Sequence, residues 1–374
     1  MKIKIFSDIQ YLPAGKRPVH LLEPFWLGQI GENLPFWEKG LINYANLSHS
    51  LFEISSLEEA DIAVFPCDWI HVSGNTWKDK ANKSLYTLAI QFAQMVQQAG
   101  KPIAIFYCGD RSHEQVPIQD AFVFRQSLIA SKRRPNDFVF TAFYEDLVEF
   151  YLGNELTIRQ KQEKPVVGFD GCADPGSSTT RLKDLISQGV MLARGKEFFS
   201  PYEGHRLRYE ALKYLSNSPL VEPNFKIRDN MVFYDDANNP DKKQKLRLEY
   251  VHNMVESDYI LCSRGRGNFS LRVIETLCCG RIPIIVDTGC VLPYDFKVDW
   301  KKYSVWVDKK DLPQIAEKVA DFHKNLSSQE FIELQYECRH LWKEWLSYEG
   351  FFTNFWQHFQ INTSKKEAAY ISPP

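Results

Sequence analysis

Ser257 to Pro293 reads SDYILCSRGRGNFSLRVIETLCCGRIPIIVDTGCVLP. Tyr259, Ile260, Leu261 and Cys262 are a short apolar run bounded by turn residues, the pattern of a strand buried on both faces. Ser263 to Asn268 is a tight loop carrying Gly265 and Gly267. Ser270 to Cys279 is predicted to be a helix: Phe269, Val273, Leu277 and Ile274, Cys278 recur at helical spacing, and Gly280 stands where a C-terminal cap belongs. Ile282 to Val286 is a second apolar strand. The unit is therefore strand, glycine loop, helix, strand.

Such a unit favours anions. The first N–H groups of a helix have no partner inside it, and the helix dipole places about half a positive charge there. Glycines let the backbone come close to a phosphate. Arg264 and Arg266 add two permanent cations whose forks match phosphate oxygens. Arg272 and Glu275, three residues apart on one helical face, are placed to share a salt bridge or a ligand. A carboxylate such as Glu275 suits the hydroxyls of a ribose. A plain reading competes with this one: glycine turns also merely cap helices, and arginines beside them also pair with surface acids.

The 374 residues suffice for two ordinary domains. Apolar content of 44% and charged content of 25% are those of a globular protein. A net charge of −2 speaks against a broad nucleic-acid footprint. There is no apolar run of about 18 residues to cross a membrane, and the opening MKIKIFSDIQY alternates like a strand and has no signal-peptide core. The eight cysteines lie mostly in apolar strands with no C-x-x-C pair, which fits core packing in a reducing compartment and argues against zinc. We expect a cytoplasmic protein.

Along the chain, strands are expected at Lys2–Phe6, Ala60–Pro66, Lys101–Tyr107, Asp120–Phe124 and 138–143. A helix is expected at Asn82–Ala99. The stretch 11–50, with Trp26, Phe36 and Trp37, has no clear reading. The polar segment 153–164 marks a domain boundary. Beyond it, strands are expected at Pro165–Phe169, Glu222–Arg228 and Tyr303–Val307, and helices at 180–193, 201–215, 246–256 and 311–325, with an exposed loop at 235–245. Strands alternating with helices imply parallel, doubly wound sheets, whose ligands bind beyond the carboxyl ends of the strands. Asp68, Asp110, Arg111, His113 and Arg125 all follow strand ends. The aromatic segment 329–360 suits packing on the domains, and less well a membrane surface. From Thr363 the chain reads as a loose tail.

The string from Cys262 onward resembles the C-terminal motif of the exostosin-family glycosyltransferases, C-x-R-G-x-G-x-x-S-x-R-x-x-E-x-L-x-x-G-x-x-P. It is met here by Cys262, Arg264, Gly265, Gly267, Ser270, Arg272, Glu275, Leu277, Gly280 and Pro283. Ile284 stands where the family often has Val, and Leu292, Pro293 and Trp300 resemble the family's residues downstream of the motif. The resemblance implies two Rossmann-like β/α/β domains facing a cleft, the GT-B architecture. We place an acceptor-side domain at 1–155, a nucleotide-sugar-binding domain at 164–327 and a helical segment at 328–374 packing back on both.

The implied reaction is inverting transfer of a sugar from a UDP- or GDP-sugar to a saccharide or glycolipid acceptor. Arg264, Gly265, Arg266, Gly267, Asn268, Ser270, Arg272 and Glu275 would hold the donor. A base from the N-terminal half is needed, Asp110 first and His113 second, with Asp68 and Glu114 behind them; Arg125 would hold the acceptor or pair with a carboxylate. No Asp-x-Asp pair occurs, which points to a metal-independent reaction without a cofactor. Two other readings compete. A dinucleotide oxidoreductase fits less well, because Ser270 stands at the third position of the Gly-x-Gly-x-x-Gly fingerprint. A catalytically silent glycan- or nucleotide-binding protein of the same fold would share every feature but turnover.

Overall fold

The structure is a computed structural model, which describes residues 2–27, 39–74, 80–141, 145–193, 200, 202–228 and 239–360. Phe36, Trp37, the end of the strand expected at 138–143, residues 235–238 of the expected loop and the tail from Thr363 lie outside the described residues. The chain divides into two compact units, Met1–Glu145 with Val291–Tyr294 and Trp342–Pro374, and Asp146–Cys290 with Asp295–Leu341. The division falls at Glu145 and Asp146, earlier than the polar segment 153–164, because Asp146 already belongs to the second unit. There it bonds the amides of Val148 and Glu149 at the start of a short helix and takes an ion pair from Arg339 at 2.6 Å.

The first unit is built on a six-stranded sheet in the order β2-β1-β3-β4-β5-β6. The strands are β1 (Ile3–Phe6), β2 (Phe52–Ile54), β3 (Ile62–Val64), β4 (Ile103–Tyr107), β5 (Phe122–Arg125) and β6 (Asp137–Val139). Every pairing is parallel. The stretch 11–50 resolves in part into helix α1 (Leu41–Leu51), which leads straight into β2. Its weak amphipathic pattern and the brevity of β2 hid both from the sequence. Helix α2 (Lys83–Gln98) starts where Asn82 accepts the Leu85 amide at 3.2 Å, and its apolar face packs in the core beside Phe65 and Ile105.

Most aromatics of segment 329–360 pack inward, while Tyr336 and Trp356 are exposed. Phe351, Phe352 and Phe355 are buried. Phe355 lies 4.8 Å from Phe124 and Phe352 lies 4.3 Å from Tyr44, centroid to centroid. The rings that suggested a membrane face are largely spent in the core of the first unit. Among the described residues no helix is long and apolar enough to cross a membrane.

The second unit has a five-stranded sheet in the order β11-β10-β9-β7-β8. Its strands are β7 (Val166–Cys172), β8 (Glu222–Arg228), β9 (Tyr259–Cys262), β10 (Ile282–Asp287) and β11 (Val305–Asp308), again all parallel. The helices that matter to the site are α3 (Ser178–Ala193), α4 (Glu203–Ser216), α5 (Pro240–Val255) and α6 (Leu271–Cys278). Helix α5 starts earlier than its apolar pattern indicates and takes in the charged residues 240–245. Asn239 caps it by accepting the Lys242 amide at 3.0 Å, and Pro240 sits in the first turn, where its missing N–H costs nothing. Further on, Ile315–Asn325 and Ser328–Leu341 are helices of the second unit, and from Trp342 the chain belongs to the first. The single C-terminal segment expected at 328–374 is thus shared out between the two units.

Candidate anion-binding site

Strand β7 lies between β8 and β9, so the chain leaves it toward one side and returns on the other. In open parallel sheets that reversal is where ligands bind, just beyond the carboxyl ends of the strands. The ends of β7 and β9 bring together Gly171 and the Arg264–Asn268 loop.

The loop is braced before any ligand arrives. The Gly265 amide donates to the Phe269 carbonyl at 3.0 Å. Asn268 is buried, donates to the Thr288 carbonyl at 3.3 Å and accepts the Thr288 hydroxyl at 2.5 Å. Gly204, in the first turn of α4, lies so close that a Cβ there would stand 2.3 Å from the Gly265 carbonyl oxygen and 2.5 Å from that of Arg264. Only a residue without a side chain lets α4 abut the loop. Ser270 precedes α6 in extended conformation, and its side chain makes no capping bond.

The expected donor residues separate in the structure. Arg264 is 6% exposed and turned inward. It donates to Glu203 at 3.0 Å and to the Arg266 carbonyl at 2.8 Å, and Glu203 also takes Lys309. Arg264 is a strut that ties the loop to α4. Arg266 is exposed, and Gly267 is buried. Glu275 is buried, and both of its oxygens are engaged: Arg247 donates at 2.8 Å and the Tyr250 hydroxyl at 2.5 Å, both from α5. The salt bridge anticipated between Arg272 and Glu275 gives way to this pair, because α5 delivers a cation and a hydroxyl to the same carboxylate. Burial, then the Glu275 charge, push the Tyr250 hydroxyl well above its ordinary pKa, so it stays a donor.

Arg272 goes elsewhere. Its guanidinium donates to the Asp170 carbonyl at 2.8 Å and lies 4.5 Å from the centre of the Phe169 ring. A Cβ at Gly171 would stand 2.8 Å from its terminal nitrogen. Arg208, from α4, meets it there. It donates to the Cys172 carbonyl at 3.4 Å, and its terminal nitrogen is 3.6 Å from where a Gly265 Cβ would be. Burial, then the repulsion of Arg272, push the Arg208 pKa down to about 10. Neither arginine forms an ion pair among the described residues, and the Nε of each is buried without a hydrogen-bond partner. His205, one turn before Arg208, is half-buried and held below its usual pKa by burial and by Arg208.

The carboxylates around the pair are already taken. Asp170 is fully buried and gripped by both nitrogens of Arg228, one of them at 2.6 Å. Glu275 is held by Arg247 and Tyr250, and Glu203 by Arg264 and Lys309. Two guanidinium groups are thus left side by side at the end of the sheet, near the start of α6, bonded to carbonyls and to no carboxylate among the described residues. Arg208 was missed by sequence reasoning. In its helix it looks like any surface arginine, and only the order of the strands brings it under the glycine loop.

The first unit holds the expected base. Asp110 and His113 lie in the loop after β4, Asp110 half-buried and His113 exposed. The Asp110 carbonyl accepts the Ser112 amide at 2.9 Å. Arg125 is 1% exposed and lies under this loop. It donates to the Arg111 carbonyl at 2.6 Å and to the Glu114 carbonyl, and rests 5.0 Å from the Tyr107 ring centre. It holds backbone and is not presented to an acceptor. Glu114 pairs with Arg111 at 2.7 Å. Asp68 accepts the amides of Ile70 at 2.8 Å and Cys108 at 3.1 Å, and burial raises its pKa.

Residues 187–321 match the Exostosin GT47 domain. That stretch of the chain is similar to the exostosin family. It is 29% identical to Exostosin-1 of Drosophila melanogaster over 111 residues, 30% of this chain and 14% of that protein. It is 32% identical to the Exostosin-1 homolog of Caenorhabditis elegans over 89 residues, 24% of this chain and 23% of the relative. The chain thus spans less than a quarter of the length of these relatives. Among solved structures, a glycosyltransferase from Rickettsia africae ESF-5 aligns over 96% of this chain and 98% of its own at 10% identity, with a TM-score of 0.35, too low to bear on the fold. The matched residues take in α4, the glycine loop and α6, and with them Arg208, Arg264 and Arg272.

Proposed function

We propose that this protein is a glycosyltransferase that moves a sugar from a nucleotide-diphosphate-sugar to a saccharide acceptor in glycan biosynthesis. The observation that carries the reading is the pair Arg208 and Arg272, both without a carboxylate partner among the described residues, beneath two glycine-bearing strand ends. Two forked cations set side by side match two adjoining phosphates. In the reaction a base takes the proton of an acceptor hydroxyl, its oxygen bonds to the anomeric carbon from the opposite side, and the bond to the diphosphate breaks with its electron pair. Negative charge then grows on the leaving diphosphate, and cations fixed in place beforehand stabilise it most.

Arg208 and Arg272 take that role, with the exposed Arg266 and the amides of Gly267, Asn268 and Ser270 in reach of the same anion. This supply of charge from side chains supports a reaction without a metal. Arg264 and Glu275 serve by bracing the site. Asp110, then His113, are the proposed base in the first unit. The donor is a UDP- or GDP-sugar, and the acceptor a saccharide or glycolipid.

The test is calorimetric titration with UDP and then GDP, in chelator. One of the two is expected to bind, and Arg272→Ala to lose it while keeping the wild-type circular dichroism. A folded wild-type protein that binds neither, with or without added manganese, would sink the reading.

A further inference from the structure

The Arg272 cation at the site is kept available by residues that do not face it. Asp170 lies near the end of β7, and its own carbonyl is the acceptor for Arg272. Its carboxylate is therefore the acid best placed, by connectivity, to neutralise Arg272. It does not do so, because Arg228 at the end of β8 takes both carboxylate oxygens. The register makes this pairing: Cys172 lies opposite Arg228 and Asp170 opposite Lys226, so Arg228 reaches back along the strand edge to the acid. Lys226 and Arg228 are in turn balanced by Glu249 of α5. The same arrangement recurs at Glu275, three residues after Arg272 on α6, which Arg247 and Tyr250 draw away.

From these contacts we infer that Arg228 is a positioning residue: by holding Asp170 it keeps Arg272 unneutralised and so keeps the anion site open. This inference rests on the proposed function of the site. It extends that reading to a residue on the outer strand of the sheet, outside the glycine-loop motif. A buried carboxylate left without its cation seeks another. With Arg228 gone, the cations in reach are Lys226, opposite Asp170 in the register, and the Arg272 guanidinium, already bonded to the Asp170 backbone. The resulting Asp170–Arg272 pair would compete with the incoming diphosphate for the same fork.

The experiment measures affinity for UDP and GDP by calorimetry in four proteins: wild type, Arg228→Gln, Asp170→Asn and the double variant. Arg228→Gln is expected to weaken binding of whichever nucleotide the wild type takes by about tenfold or more, the loss of one charge-assisted contact. Asp170→Asn is expected to bind within about threefold of wild type, since it removes the competitor. The double variant is expected to recover to within the same range, a rescue that a merely structural role for Arg228 would not produce.

Unchanged affinity in Arg228→Gln overturns the inference. So does a double variant that binds as weakly as Arg228→Gln. Should Arg228→Gln fail to fold, the double variant and Asp170→Asn still decide, because tight binding in a protein without Arg228 supports the inference and weak binding in both opposes it. A wild type that binds neither nucleotide removes the reading of the site itself, which separates the two failures.

Discussion

The two sheets are alike in topology and opposite in what they place at their strand ends. Each is parallel, and in each the first strand, β1 or β7, lies between the two that come after it in the chain. In the first unit the strand ends carry acids, Asp68 and Asp110, in loops held by backbone bonds and by the buried Arg125. Beside those of the second, helices α4 and α6 bring Arg208 and Arg272, tied to carbonyls and to no carboxylate among the described residues. In the first unit the buried Arg125, and in the second the half-buried Arg208 and Arg272, grip backbone carbonyls. In the first the gripping shapes a loop and completes the guanidinium's role. In the second it orients a cation that forms no ion pair among the described residues. What separates a structural arginine from a ligand-binding one here is whether the acids nearby are spoken for.

The comparison breaks most readily at Arg208 and Arg272. Replacing both by Ala is expected to lower nucleotide affinity by about a hundredfold or more, since each charge-assisted contact is worth ~1.5–3 kcal/mol. Calorimetry checks it, and a loss below tenfold would put the diphosphate elsewhere. Glu275→Ala tests the opposite kind of group. It leaves the Arg247 charge buried without its acid, and it is expected to cost about 3 kcal/mol of stability. A melting temperature equal to wild type would return Glu275 to a ligand role.

Arg125→Ala probes the first unit. Losing the two carbonyl bonds under the 110–114 loop is expected to reduce kcat by about tenfold while nucleotide affinity stays unchanged, because the loop carries the proposed base and not the donor site. A parallel fall in nucleotide affinity would contradict that division of labour.

His358 gives the smallest effect and the cleanest sign. It is fully buried, donates from Nδ1 to the Phe355 carbonyl 3.0 Å away, and burial pushes its pKa down to about 3. The unfolded chain takes up a proton near pH 6.5 and the folded chain does not. The contribution of His358 to stability is therefore full above pH 6.5 and falls as pH drops from there toward 3, by ~1.4 kcal/mol per unit. In His358→Phe the first unit is expected to melt with a shallower acid dependence between pH 6.5 and 4. Equal slopes in the two proteins would mean that His358 charges inside the fold.

Much of this architecture was legible in the chain. Tyr259–Cys262 is a strand with the bounds its apolar run indicates, Glu222–Arg228 is a strand as expected, and Asn82 and Gly280 stand at helix ends where local chemistry says they should. The Arg264–Glu275 string could be assigned to an anion-binding turn because its loop, helix start and charges are neighbours in sequence. Helix α1 and the early start of α5 were not legible, since a cap or a weak pattern leaves little trace in composition.

The partners of the charges belong to the fold alone. Sequence sets which cations exist, but Arg264 is spent on Glu203, Glu275 on Arg247 and Asp170 on Arg228 through contacts that span 28 to 61 residues and depend on strand order. Arg208 joins Arg272 only because β7 lies between β8 and β9. Local preference decides helices, strands and turns, because these bonds close within a few residues. Which guanidinium remains open to a ligand is decided by long-range packing, because burial makes every unmatched charge costly and so fixes who pairs with whom.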